Sequence, residues 1–397
     1  MRCNYDYGQI KVQATVDEVK KARRRRIRRK IFNLSAISII ACECLQAVIT
    51  IFVDSFLIAQ ILNNPANTVA ENIINIGIFY VIYYSVVCLS YSVSGIVLKR
   101  INKSIFVSIG AILLTLVIVL VYFIGENIST YVPLLAVLYG IAYSFFSSGF
   151  TNLTAETISS KHQVRFFAVK RILFQITYII FPITLGVIID KVNFTFMAMI
   201  MLVICAALIV FSFLIRPKKI YRQAFNLKKF VKRLKDNKEE LKPLLKMYVT
   251  NFFRGASYDC FTTLITILVM KSFGSNTSLG MFQSIFTACS LVTMFFYLRY
   301  YRKKRAEKFI IPTIVLVAIA VIAILCATNK VTIIIFYAVY AILNVILMSI
   351  SDSRRSGVVR QLSLHYHILE SNAIAEFFMG AGRVLSSVVL LLSGVLD

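Results

Sequence analysis

The chain has 397 residues, 58% of them hydrophobic and 16% charged, and a formal net charge of +26. Soluble domains carry about 25% charged residues, so this composition excludes a soluble globular protein and points to a chain that crosses a membrane many times. The basic excess does not indicate a nucleic-acid partner, because it is confined to alternate loops between apolar runs.

Residues 1–32 form a basic arm in which Lys20 to Lys30 reads KKARRRRIRRK. Such an arm suits a cytoplasmic anchor that touches anionic lipid headgroups. The apolar run after it is too long for the h-region of a cleavable signal peptide. Apolar segments then follow at 33–62, 73–98, 104–124, 131–150, 168–190, 194–215, 247–271, 279–298, 309–327, 332–351 and 373–396. Each is long enough to span a bilayer. An all-α, multi-pass bundle of eleven spans is therefore expected.

Charge sets the expected orientation. Only Lys191, Lys271 and Lys330 fall at the ends of segments or in loops on one side, and only Arg254 and Arg383 fall well inside apolar segments, Lys170 and Arg171 standing at the basic-side start of the fifth. All other lysines and arginines lie on the side of the N-terminal arm. This asymmetry places the N-terminus in the cytoplasm of a cell membrane.

The chain divides at residues 216–246, a basic linker between a half of six segments at 33–215 and a half of five at 247–397. Within the linker, Phe225, Phe230, Val231 and Leu234 make an apolar stripe opposite lysines. An amphipathic helix lying on the membrane face is expected there.

Two segments carry polar stripes at helical spacing. The first holds Glu43, Gln46, Thr50 and Asp54, and the seventh holds Asn251, Arg254, Tyr258 and Thr262, with the same internal spacing and a constant offset. A charge at membrane depth costs roughly 2.5–3.5 kcal/mol even on the lenient insertion scale, so it faces protein or water rather than lipid. The two stripes are read as facing one polar cavity. Glu43 and Arg254 enter from the same side and are expected to pair, so that breaking the pair would couple proton uptake to movement; a static structural pair is the rival reading.

Of the cysteines, all but Cys3 lie in apolar segments, where they serve as small apolar side chains. No metal site or cofactor is expected from them. His365 and His367 lack further ligands. There is no Walker loop, no His-Glu-x-x-His and no Ser/His/Asp set at membrane depth, so no enzyme is expected.

The fifth and eleventh segments echo each other. Arg171-Ile172-Leu173 and Leu185-Gly186-Val187-Ile188 recur as Arg383-Val384-Leu385 and Ser393-Gly394-Val395-Leu396. Repeats of this kind mark secondary transporters. With its basic central loop, the chain resembles the major facilitator superfamily. That family's motif between the second and third helices is matched here by Gly95, Arg100 and Lys103, whereas Lys99 stands where Asp is usual and Asn102 where the second Gly is. Phe181-Pro182 and Gly186 echo its fifth-helix motif only weakly. The resemblance implies twelve spans, and the chain ends at Asp397 after the eleventh.

The resemblance also implies that the first, fourth, seventh and tenth helices line the central path. The candidates there are Glu43, Gln46, Thr50 and Asp54; Tyr139 and Tyr143; Asn251, Arg254, Tyr258, Asp259 and Thr262; and Tyr340 and Asn344, beside Tyr337. Tyr80, Tyr83, Tyr84 and Tyr91 of the second helix join them, with interfacial packing as the plain alternative. Gly95, Arg100, Lys103, Arg171 and Arg383 are the candidates for gate and loop roles.

The expected partners are the lipid bilayer, a small-molecule substrate, and a proton or other coupling ion. The expected function is proton-coupled export of a small cationic or amphipathic molecule, because acidic and aromatic groups suit cations. Arg254 suits an anion equally well. An uptake carrier for a sugar, organic acid or peptide stays open, as does a transport-inactive receptor or partner subunit.

Overall fold

A computed structural model describes residues 34–98, 101–157, 160–215, 226–300, 310–326, 329–342, 344, 358 and 368–396. The N-terminal arm, Lys99 and Arg100, the linker up to Phe225, and His365 and His367 lie outside the described residues. All the elements described are helices.

In the first half these are α1 (Leu34–Leu62), α2 (Val69–Val97), α3 (Lys103–Ile124), α4 (Val132–Thr157), α5 (Ser160–Lys191) and α6 (Phe194–Leu214). The linker contributes α7 (Leu227–Asp236). The second half holds α8 (Lys238–Phe273), α9 (Asn276–Tyr300), α10 (Ile310–Cys326), α11 (Lys330–Ile342) and α12 (Ile368–Leu396). Every apolar segment read from the sequence falls on one of these helices, wholly or in part. Eight of the described helices are long and apolar enough to cross a membrane.

Local chemistry sets the helix ends. Thr68 and Glu71 make a reciprocal capping box at the start of α2, with Thr68 N donating to Glu71 Oε2 at 2.7 Å and Glu71 N to Thr68 Oγ1 at 3.3 Å. Asn102 and Asn193 cap α3 and α6 through their side-chain oxygens. Gly274 ends α8 at φ +68°, where a side chain would be strained.

In the first half α3 packs on α4 and α6, and α2 on α4; in the second, α8 packs on α12 and α9. The broadest crossings between the halves among the described helices are α2 with α12 and α5 with α9, and the end of α1 also meets α8. Small residues let backbones approach there without a side chain between them. A Cβ at Gly77 would meet Leu391, one at Gly186 the Asn276 carbonyl, and one at Gly280 the Pro182 carbonyl. Large apolar side chains such as Phe123, Val203 and Phe213 face outward, as lipid contact requires.

The linker helix corrects one expectation. α7 is amphipathic, but its apolar face does not lie on the membrane. Phe230 and Leu234 are buried against Leu244, Met247, Tyr248 and Ala375 at the near ends of α8 and α12. Asn226 N also donates to Glu370 Oε1 of α12 at 2.9 Å. The bundle offers an apolar recess next to the linker, and docking there satisfies the stripe without lipid. Val231, outside this contact, is exposed. Phe230→Ala is expected to weaken the docking by about 3 kcal/mol. The readout is faster hydrogen exchange over residues 227–236 with the unfolding of the bundle unchanged.

Candidate functional site

A cavity of about 230 Å³ lies between the halves, walled by α1, α2, α5, α8, α9 and α11. Its lining is mostly hydroxyl, amide and aromatic. Asp54 is the one charged side chain among the described residues that line it.

α1 supplies Thr50, Ile51, Asp54 and Ser55. Over Phe52–Leu57 this helix widens into a π segment. Such segments offset the side chains that follow from the ordinary helical register, and they recur at functional positions. Here Thr50 with Asp54, and Ile51 with Ser55, are presented together on the cavity side. Gln46 Nε2 donates to Thr50 Oγ1 at 2.9 Å, which orients the hydroxyl one turn below Asp54. Tyr80 OH of α2 donates to the Asp54 carbonyl at 3.4 Å, tying the widened turn to α2.

An aromatic wall adjoins this carboxylate. Tyr80 and Tyr84 stack with ring centres 5.6 Å apart and line the cavity. The Arg383 guanidinium of α12 sits 5.3 Å from the Tyr84 ring centre, a cation–π contact between the halves. On the far side Phe286 and Tyr337 meet at 4.2 Å. Tyr340 contacts Phe261 at 5.3 Å, and Tyr178 comes from α5. The polar floor is Thr262, Thr263 and Thr266 of α8, Gln283, Thr287 and Ser290 of α9, and Asn344. Gln283 Nε2 donates to Ser55 Oγ at 2.7 Å, a hydrogen bond between the halves in the cavity wall.

Of the residues singled out from the sequence, Thr50, Asp54, Thr262, Tyr340 and Asn344 come together here, with Tyr80, Tyr84 and Tyr337. Others lie elsewhere. Tyr139 is 1% exposed and stacks on Tyr83 at 4.8 Å, with Tyr143 beside it, so these two α4 tyrosines support the α2 wall from behind. Ser147 of α4 accepts from Tyr91 OH at 2.7 Å. The fourth helix was expected on the path, yet the described lining includes no residue of α4 and does include residues of α5 and α9.

Asn251 is buried and Arg254 half-buried in α8, outside the cavity lining. The side chains of Tyr258 and Asp259 lie outside the described residues, and so do the surroundings of Gly95. Lys103 begins α3 and is buried, while Arg171 is exposed on α5. The residues the sequence reading missed are Ser55, Tyr178, Thr263, Thr266 and the α9 face. Gln283, Thr287 and Ser290 do recur at helical spacing, so the same stripe criterion finds them.

Glu43 takes a partner the sequence did not suggest. Its Oε2 lies 2.8 Å from Lys170 Nζ of α5, and each side chain is 19% exposed. Lys170 also stands 5.6 Å from the centre of the Phe150 ring. The expectation was Arg254, across the halves, because Lys170 reads as a loop cation. α5 begins at Ser160, so Lys170 is a helix residue within reach of α1. The pair therefore joins helices of one half. Lys170→Met leaves Glu43 without that cation, and an expected cost of about 3 kcal/mol follows. The double variant with Glu43→Gln recovers most of it, which a double-mutant cycle of detergent unfolding measures.

Comparison with known proteins gives concordant results. The sequence matches the family described as the Major Facilitator Superfamily over residues 32–388. It is 25% identical over 316 residues to the uncharacterized protein YqgE of Bacillus subtilis (strain 168), covering 77% of this chain and 71% of that one. The fold is similar to the nucleoside transporter NupG, with a TM-score of 0.64, 15% identity, and coverage of 92% of this chain and 90% of that one. It is also similar to the human organic anion transporter MFSD10 (TETRAN), with a TM-score of 0.61, 12% identity, and coverage of 91% and 95%.

Proposed function

Because this chain belongs to the major facilitator superfamily and is a multi-pass secondary transporter, we propose that it exchanges protons for a small organic cation at Asp54, as an exporter in a cell membrane. The observation that carries the reading is the cavity between the halves, where Asp54 is the one carboxylate among the described lining residues, set among tyrosine rings and hydroxyls. A carboxylate in a site of low dielectric needs a compensating positive charge or a proton. If substrate and proton compete for one carboxylate, each half-cycle carries one or the other, and that exclusion is antiport. The tyrosine faces add cation–π attraction for the substrate.

The two halves rock about the cavity, opening it to one side at a time. The loop-charge asymmetry supports a cytoplasmic N-terminus, so protons entering would drive the cation out. Glu43 with Lys170 braces α1 against α5 beside the path and is the second place where a proton could enter the cycle.

A second reading is favoured by the amide and hydroxyl floor around Gln283, Asn344 and the threonines. These groups with flanking aromatic rings suit a neutral, ring-bearing polar solute, such as the nucleosides that NupG is named for. Purified protein in liposomes separates the two. Under an imposed pH gradient, organic cations are expected to accumulate while an internal dye reports proton counterflow. Movement of nucleosides with no cation flux sinks the exchange reading.

A further inference from the structure

Away from the cavity, one carboxylate joins the two halves. Asp190 is the penultimate residue of α5 and lies on the face opposite the linker helix. It accepts three hydrogen bonds from the start of α9. Asn276 N donates to Oδ1 at 3.2 Å, Asn276 Nδ2 to Oδ1 at 2.9 Å, and Thr277 N to Oδ2 at 2.7 Å. Ser275 Oγ accepts from Ser278 N at 3.1 Å, so the local cap serves a later donor and leaves the first two to Asp190. A negative charge at a helix N-terminus is also favoured by the helix dipole.

The backbones below this contact leave no slack. Gly186 of α5 lies under the Asn276 carbonyl, and Gly280 of α9 under the Pro182 carbonyl. The end of α1 packs on α8 at the same face, and Gly77 meets Leu391. This face is therefore shut, and α5 and α9 must part for the cavity to open toward it.

We propose that Asp190 is the latch of this gate: a carboxylate of one half that caps a helix of the other only while this face is closed, and so sets the balance between the two access states. It is a positioning residue and does not touch the substrate. The inference is independent of what is carried, since it concerns the equilibrium of the empty protein.

The test is a distance measurement without substrate. Spin labels are placed at Val192→Cys and Lys271→Cys, both exposed positions flanking the crossing, in a background with the native cysteines replaced. Asp190→Ala is expected to raise the long-distance population about fivefold relative to the closed one, the scale of losing an ordinary N-cap. Asp190→Asn keeps an acceptor and gives a smaller rise. Asn276→Pro removes two of the three donors from the other side at a first-turn position that tolerates proline, and it is expected to give the same shift. It decides the matter if the Asp190 variants do not fold. Unchanged distance distributions in a folded variant of either residue overturn the latch. A shift seen while liposome flux shows no cation exchange leaves the latch standing and rejects only the substrate reading.

Discussion

Asp54→Asn is expected to abolish cation-driven proton movement in liposomes and to weaken cation binding by about thirtyfold or more. Truncating one partner of a buried charge pair costs about 2 kcal/mol at the low end, and every 1.4 kcal/mol is about tenfold. The fold is expected to survive, because removing a charge from membrane depth relieves a desolvation cost. Thermal unfolding with and without an organic cation separates the two effects. The variant keeps the melting temperature of the ligand-free parent but loses the upward shift that bound ligand produces. Asp54→Glu keeps the charge on a longer arm and is expected to retain exchange with weaker binding. Full exchange in Asp54→Asn would move the coupling role to another carboxylate, with Glu43 first in line.

The second large effect is steric and depends on where in the bundle it falls. Gly382 of α12 lies against the Phe252 carbonyl of α8, and Gly255 of α8 against the Met379 carbonyl of α12. This crossing lies inside one half and has no reason to open. Gly382→Leu drives a side chain into backbone that cannot yield, with an expected cost of about 3 kcal/mol or more. The outcome is loss of monodisperse protein on size exclusion in detergent. Gly280→Leu makes the same collision at the α5–α9 crossing between the halves. There the clash is relieved by opening the gate, so the protein is expected to remain folded while transport stops. Equal loss of folded protein in both variants would mean that the α5–α9 crossing is as rigid as a half's interior.

Some of the site was open to reading from residue spacing. Asp54 and Thr262 lie on stripes whose only stable home at membrane depth is a polar interior, and both reach the cavity. Glu43 lies on the same stripe as Asp54, yet it turns to Lys170. The divergence is one of depth: Glu43 lies about two turns nearer the start of α1 than Thr50, which lines the cavity with Asp54, and at that level α5 presents Lys170. The spacing along α1 does not say which helix stands beside each level of the stripe. Tyr139 and Tyr143 have the spacing of a path-lining face, but a tyrosine ring packs as well behind a wall as on it, and Tyr83 takes them as partners.

Composition, segment length and the uneven distribution of lysine and arginine are enough to determine that this chain is a helical membrane bundle, because lipid tolerates few other backbones. Local residues likewise determine where helices start and stop, as Thr68 with Glu71 and Gly274 show. Which faces meet was decided only by packing. The contacts of Glu43 with Lys170, Gln283 with Ser55, and Asp190 with the start of α9 join residues far apart in the chain. At the α5–α9 crossing, Gly186 and Gly280 let the two backbones approach, and helix spacing carries no information about the neighbouring helix. The closed face, and the carboxylate that holds it closed, are therefore properties of the tertiary structure.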